Sequence, residues 1–314
     1  MVARRYAAGM VLHPQARHAV EQAARAPRVT DPAFDIAAER AAAQAAEADR
    51  DREAVLEVRD VDAAGVPGRY YRPAARTDAL VLHLHGGGFV LNDVDVHDRA
   101  VRAFANRLGV PVLSIDYRRP PEHRFPAAPD DVDVVVAWVL AGGLGERPRL
   151  FVHGDSAGGN LALVAALRNP GAFEGVLLVY PFLDPTQAFA SYDTAADGFD
   201  RAEAAWYWKQ YAATAADLTD PDLAPLRSDA LGTLPPTLVL TSEHDPVRDE
   251  GEHLVHLLAE AGVEVVGTRV LGQVHGFWRH PDVFPVAEPV LRQQASFVAM
   301  LIEREPAVRR TTPS

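Results

Sequence analysis

Ser156 stands in Gly154-Asp155-Ser156-Ala157-Gly158-Gly159-Asn160, a Gly-x-Ser-x-Gly pattern set between an apolar run, Leu150-Phe151-Val152, and a helix-forming run, Leu161 to Leu167. That order reads as strand, tight turn, helix, and the small flanking residues permit a turn sharp enough to push the Ser156 hydroxyl into a cleft. A serine hydroxyl is a poor nucleophile on its own. It needs a base to take its proton, an acid to orient that base, and donors for the oxyanion formed on attack. The pattern alone is equally a glycine turn or an anion-binding helix start, so the partners must be found elsewhere in the chain.

In such an arrangement the acid and then the base follow strands downstream of the serine. Asp245 comes just after the apolar run Thr237–Leu240, and His275 lies in the loop after the run Glu264–Val270. Asp249 and Glu250 are chemical rivals for the acid but fall within the start of the next helix, and His280 is the rival base. Upstream, His85-Gly86-Gly87-Gly88-Phe89 follows the run Ala79–Leu84. Consecutive glycines let backbone amides face a ligand with no Cβ in the way, so the amides of Gly87, Gly88 and Ala157 are the expected oxyanion donors.

The elements that must position these groups are legible as an alternation. A hairpin is expected from Val55–Val58 and Val66–Tyr71, then strands at Ala79–Leu84, Val110–Ile115, Leu150–Val152, Gly175–Val179, Thr237–Leu240 and Glu264–Val270. Between and after them lie helical stretches at Val101–Leu108, Asp130–Leu140, 157–168, Gly251–Ala261 and Val286–Ile302. Such alternation predicts an α/β fold, a mostly parallel central sheet with helices on both faces. Right-handed crossovers then gather the strand C-terminal ends along the edge where ligands bind.

Two regions break the rhythm. Residues 1 to about 50 are rich in Ala, Arg and Glu, with helical runs at His13–Ala26 and Phe34–Ala48 separated by Pro27 and Pro32. Between Tyr180 and Pro235 there is no strand pattern, but a polar stretch and the aromatic cluster Trp206-Tyr207-Trp208 with Tyr211. An insertion at this edge is where a lid belongs. Its aromatics either pack the insertion's own core or line a substrate pocket, for which Phe89, Phe182, Trp206 and Trp208 are the candidates.

A chain of 314 residues with 48% hydrophobic content buries a large core, and a net charge of -12 disfavours nucleic acid and anionic membranes as partners. The absence of cysteine excludes disulfides, thiolate metal sites and a cysteine nucleophile. No Cys, His or carboxylate spacing signals a metal site, and Gly158-Gly159 supplies neither a dinucleotide turn nor a Walker lysine. No stretch resembles a signal peptide or a membrane span, so the expected location is cytoplasmic.

The ordered set His85-Gly86-Gly87-Gly88, Asp116-Tyr117-Arg118, Pro121-Glu122-His123-Arg124-Phe125-Pro126, Gly154–Asn160, Tyr180-Pro181, Asp245–Glu250 and His275-Gly276-Phe277 resembles the hormone-sensitive-lipase-like α/β-hydrolase esterases, the group of bacterial carboxylesterases and arylacetamide deacetylase. The resemblance covers nearly the whole chain. It implies an α/β-hydrolase fold with a helical cap built from 1–52 and the insertion 185–220, on a catalytic core of 53–184 and 221–314. It implies a Ser156–His275–Asp245 triad hydrolysing small-molecule esters with short to medium acyl chains, no cofactor and no metal. An amidase with the same machinery, or a non-catalytic small-ligand receptor on the same fold, are the alternatives; a homodimer is compatible with the family.

Overall fold

The computed structural model describes residues 11–304; Arg4 and Arg5, at the start of the 1–52 segment, lie outside the described residues. Two helices come first, α1 (Pro14–Ala23) and α2 (Ile36–Ala48), the second capped by Asp35, whose carboxylate accepts from the amides of Ala37 and Ala38. A hairpin follows, β1 (Glu57–Ala63) and β2 (Val66–Arg72), turning through Ala64-Gly65, both at positive φ. Then come β3 (Ala79–Leu84), α3 (Val94–Leu108), β4 (Val112–Ile115), α4 (Ala127–Leu140), β5 (Arg149–Asp155), α5 (Ala157–Arg168) and β6 (Gly175–Val179). The insertion carries α6 (Ser191–Thr194) and α7 (Arg201–Tyr211) before β7 (Thr237–His244), α8 (Arg248–Glu260), β8 (Val265–Val274) and α9 (Ala287–Glu303).

The strands form one eight-stranded sheet in the order β1-β2-β4-β3-β5-β6-β7-β8. Only the β1–β2 and β2–β4 pairs are antiparallel. Strands β3 to β6 are buried along their whole length apart from Arg149, the pattern of strands covered on both faces. The helices cover both faces, α3 packed with α9 and α4 with α5. From β3 the chain steps to β4 on one side and then to β5 on the other. The crevice at that reversal is where open α/β sheets bind ligands, and the loops carrying Gly86–Gly88 and Ser156 leave the sheet there.

The N-terminal helices and the insertion meet above this edge. Phe34 packs edge-on against Trp206 with ring centroids 5.8 Å apart, and Arg28 pairs with Asp200. From α2, Arg40 donates to the carbonyl oxygens of Val90 and Pro120 and pairs with Glu122, tying the helix to the loop after β3. No helix among the described residues is long and apolar enough to cross a membrane.

Several elements run further than the apolar pattern predicts, β1 to Ala63 and β5 to Asp155 among them. Helix α3 starts at Val94, capped by Asp93, not at Val101, because its first turns bury charged residues: Asp98 accepts from the Tyr71 hydroxyl and pairs with Arg69 and Arg102. Strands β7 and β8 extend to His244 and Val274, well past the expected ends at Leu240 and Val270. Their last residues include Ser242, His244 and Gln273, buried polar groups at the functional edge that break hydrophobic periodicity.

Candidate active site

The turn between β5 and α5 holds Ser156 at φ 55, ψ -119, a strained position for a residue with a side chain. The chain tolerates it because backbone packs where side chains would be: a Cβ on Gly154 would overlap the Gly158 carbonyl, and one on Gly158 would overlap the Leu84 carbonyl. The strained backbone is held on both sides, its amide donating to the Val179 carbonyl at 2.9 Å and its carbonyl accepting from the amides of Asn160 and Phe182 at 3.1 Å. Asn160 in turn donates to the Phe182 and Leu223 carbonyls, locking the elbow to the chain on both sides of the insertion.

Strand β8 delivers His275 and strand β7 delivers Asp245. His275 Nε2 lies 2.8 Å from Ser156 Oγ, and its Nδ1 lies 2.8 Å from Asp245 Oδ2. With Asp245 accepting at Nδ1–H, the tautomer leaves Nε2 free to accept the serine proton. Asp245 is fully buried, and its second oxygen accepts from the Val247 amide at 3.0 Å. The rival carboxylates are engaged elsewhere. Asp249 accepts from the Ser191 amide and pairs with Arg248, while Glu250, its pKa pushed well up by burial, accepts from the Leu183 and Asp184 amides. They anchor the insertion to α8. His280 sits between two arginines, Arg99 and Arg279, away from the serine.

The loop after β3 turns through Gly87 at φ 123 and Gly88 at φ 61, and the amides of Gly87, Gly88 and Ala157 donate to no protein acceptor among the described residues. The loop is braced from below. The Gly86 amide donates to Asp155 Oδ1 at 2.9 Å, the Asn92 side chain to the Gly86 carbonyl at 3.2 Å, and the Tyr117 hydroxyl to the His85 carbonyl at 2.7 Å. Burial alone would raise the Asp155 pKa, but His97, whose Nε2 faces the carboxylate at 3.3 Å, holds it below the usual carboxylate range with help from His83 and His153.

That brace belongs to a buried polar cluster with no signature in sequence spacing. His83, His97 and Asp155, from β3, α3 and β5, offer donor atoms all within 4.8 Å of one another, close enough to be drawn onto one metal ion. His83 Nδ1 is hydrogen-bonded to His153 Nδ1 at 2.9 Å, across the β3–β5 register, and Trp278 and Phe104 close over the rings. Spacing along the chain gives no signal for this grouping, because three separate elements create it.

A cavity of about 310 Å³ opens onto Ser156 and His275. Of the expected pocket aromatics only Phe182 lines it. Phe89 is fully buried and stacks on Tyr211 at 3.8 Å; Trp208 is 2% exposed and packs behind Phe182 at 4.2 Å; Trp206 turns away toward Phe34. Helical geometry explains the division. Ala204, Trp208 and Tyr211, spaced i, i+4, i+7, form the buried stripe of α7, which leaves Tyr207 a step round the helix to face the cavity. Tyr207, Phe199, Glu39 and Arg279 also line it. The i, i+4, i+7 spacing was the available signal for Tyr207; nothing in the local sequence marks the other three.

Residues 81–279 match the α/β hydrolase fold family. The chain is 35% identical over 237 residues to an ethyl acetate hydrolase of Pseudomonas putida, spanning 71% of this chain and 74% of that protein. It is 38% identical over 237 residues to a carboxylesterase of Mycobacterium tuberculosis, with the same 71% and 74% coverage. Among solved structures it is similar to a hyperthermophilic esterase from the archaeon Pyrobaculum calidifontis, at 33% identity and a TM-score of 0.84, covering 93% of this chain and 100% of that one.

Proposed function

The chain belongs to the α/β-hydrolase fold family, and from that premise we propose that it is a serine carboxylic-ester hydrolase acting on small esters with short to medium acyl chains. The observation that carries the reading is the unbroken relay Ser156 Oγ, His275 Nε2, His275 Nδ1, Asp245 Oδ2, with both contacts at 2.8 Å. In the first step His275 takes the Ser156 proton as Oγ attacks the ester carbonyl. The negative charge on the carbonyl oxygen is met by the free amides of Gly87, Gly88 and Ala157. Collapse of the tetrahedral intermediate breaks the bond to the alcohol oxygen, which receives the proton from His275, and leaves an acyl-serine. A water then gives its proton to His275 and attacks the acyl carbon; His275 returns a proton to Ser156 Oγ as the acid departs. Asp245 keeps its charge throughout and stabilises the imidazolium formed in each half-reaction.

The cavity volume of about 310 Å³ supports the chain-length reading, since it stands at the low end of the roughly 300–1,000 Å³ of small-molecule sites. Residues 1–52 and 185–220 are assigned to a cap, a division supported by the Phe34–Trp206 and Arg28–Asp200 contacts that join them. The test is Ser156→Ala, which should lose at least about a thousandfold in kcat against p-nitrophenyl butyrate with an unchanged circular-dichroism spectrum. An organophosphonate should label Ser156 in the wild type. A folded variant keeping a hundredth of the activity would refute the assignment.

A further inference from the structure

Arg279 is an unusual residue to find in an ester-binding cavity. It closes the short turn Phe277–Arg279 on the loop that carries His275, and it lines the cavity together with Ser156 and Tyr207. In a chain with 43 acidic residues, Arg279 has no carboxylate within ion-pair distance among the described residues. Its Nε donates to His280 Nε2 at 3.2 Å, and that is its one side-chain hydrogen bond among them.

The other nitrogen of the same imidazole, His280 Nδ1, lies 3.3 Å from Nη2 of Arg99. A neutral imidazole accepts on one nitrogen only, and a guanidinium has nothing but donors. Burial and the charges of Arg279 and Arg99 hold His280 neutral, its pKa pushed down to about 2. Two guanidinium groups therefore share one acceptor. Arg99 is compensated elsewhere, paired with Glu47 at 3.2 Å and with Asp282. Arg279 is not. Its stem is aimed by His280, its terminal nitrogens have no partner among the described residues, and its charge faces a partly desolvated cleft where a planar fork of donors matches a carboxylate in two-point contact. Two carboxylates share the lining: Asp155 is engaged by the Gly86 amide and His97, and Glu39 sits in the first turn of α2, where the helix N-terminus already favours a negative charge; neither pairs with Arg279 among the described residues.

We propose that Arg279 forms an anion subsite of the ester-binding cavity, and that the preferred substrates are esters carrying a carboxylate on their alcohol portion. The side follows from the chain path: the leaving oxygen must reach His275 Nε2, and Arg279 stands four residues on in the same loop. The inference rests on the esterase reading above and refines its substrate class.

The experiment compares isosteric pairs differing only in charge. For the alcohol side these are 3-acetoxypropanoate and its carboxamide; for the acid side, monoethyl succinate and its carboxamide. Wild-type enzyme should turn over 3-acetoxypropanoate with a kcat/KM about tenfold or more above its carboxamide, the range of a charge-assisted hydrogen bond, with the gain in KM. In Arg279→Gln that ratio should collapse toward one, and in Arg279→Lys it should be partly kept. In Glu39→Gln it should rise, because a like charge has been removed from the cavity. If the enzyme hydrolyses the neutral esters but the carboxylate ratio is one or less, or survives in Arg279→Gln, the subsite is overturned while the esterase reading stands. A carboxylate preference confined to monoethyl succinate overturns the assignment to the alcohol side. Failure on all four esters and on p-nitrophenyl acetate would instead strike the esterase reading itself.

Discussion

Gly88 offers a sharp test of the oxyanion loop, because the structure names both the obstacle and its relief. Gly88 sits at φ +61, and a Cβ there would lie well under 3.0 Å from the ring of Tyr207. An alanine in the left-handed region costs roughly 1–2 kcal/mol, and the overlap with the ring adds to that. The Tyr207 hydroxyl bonds to no protein group among the described residues, but the ring lies against Phe199 and Trp206, with centroids 6.3 Å and 5.1 Å away. The loop should therefore yield, drawing the Gly88 amide away from the Ser156 cleft. Loss of one oxyanion donor removes about 2.7–4 kcal/mol of transition-state stabilisation. Gly88→Ala should then lower kcat on p-nitrophenyl butyrate by about 10²–10³ with little change in KM, since the donor acts on the transition state. Deleting the ring should restore the loop: Gly88→Ala with Tyr207→Ala should return to within about tenfold of Tyr207→Ala alone, the residue being the φ cost. Gly87→Ala makes the contrast. At φ +123 its Cβ would overlap the Leu91 carbonyl oxygen, which no side-chain deletion can move, so its defect should persist in the Tyr207→Ala background. A Gly88→Ala enzyme keeping more than a tenth of kcat, or a double variant no better than the single, would refute the reasoning.

Asp245→Asn keeps the shape of the relay but lets an amide face His275 Nδ1, so kcat should drop roughly 10⁴-fold, measured beside a urea titration showing the protein still folded; a loss under tenfold would point to another acid. The acyl-chain profile on p-nitrophenyl esters should peak between acetyl and octanoyl. Tyr207→Ala should move the peak to longer chains, whereas Trp208→Ala, behind Phe182, should cost about 3–5 kcal/mol of stability and leave the peak in place; an optimum at palmitoyl in the wild type would contradict the cavity argument. Stability should also fall on mild acidification. Burial lowers all three: His83 and His85 fall well below the histidine range, pushed further by neighbouring histidines and, at His85, by Arg119, while His153 is held at about 3 against the opposing pull of Asp155. The unfolded chain takes up these protons below about pH 6.5 while the native state does not, so stability present above that pH is lost as it drops, by up to about 1.4 kcal/mol per pH unit for each group. Urea midpoints unchanged from pH 7.5 to 4.5 would refute this.

Much of the proposed active centre is legible in the sequence because its parts follow local patterns. A strand, a glycine-flanked serine and a helix spell out the elbow at Gly154–Gly158, where a Cβ on Gly154 would overlap the Gly158 carbonyl four residues on. Alternating apolar runs named the strands, and chain order singled out Asp245 and His275 from their rivals. The tertiary structure decided what depends on groups distant in sequence. The first turns of α3 and the ends of β7 and β8 were illegible because they bury polar residues that break the apolar pattern; Asp98 is met there by Tyr71, Arg69 and Arg102, and His244 by Asp197. The division of labour among Trp206, Tyr207 and Trp208 follows from which face of α7 meets the core, and adjacent aromatics look alike until that face is known. The His83–His97–Asp155 cluster joins two strands and a helix. That Arg279 pairs with no carboxylate among the described residues is a property of its surroundings: Glu47 and Asp282 lie against Arg99 instead, brought there by α2 and the turn before α9.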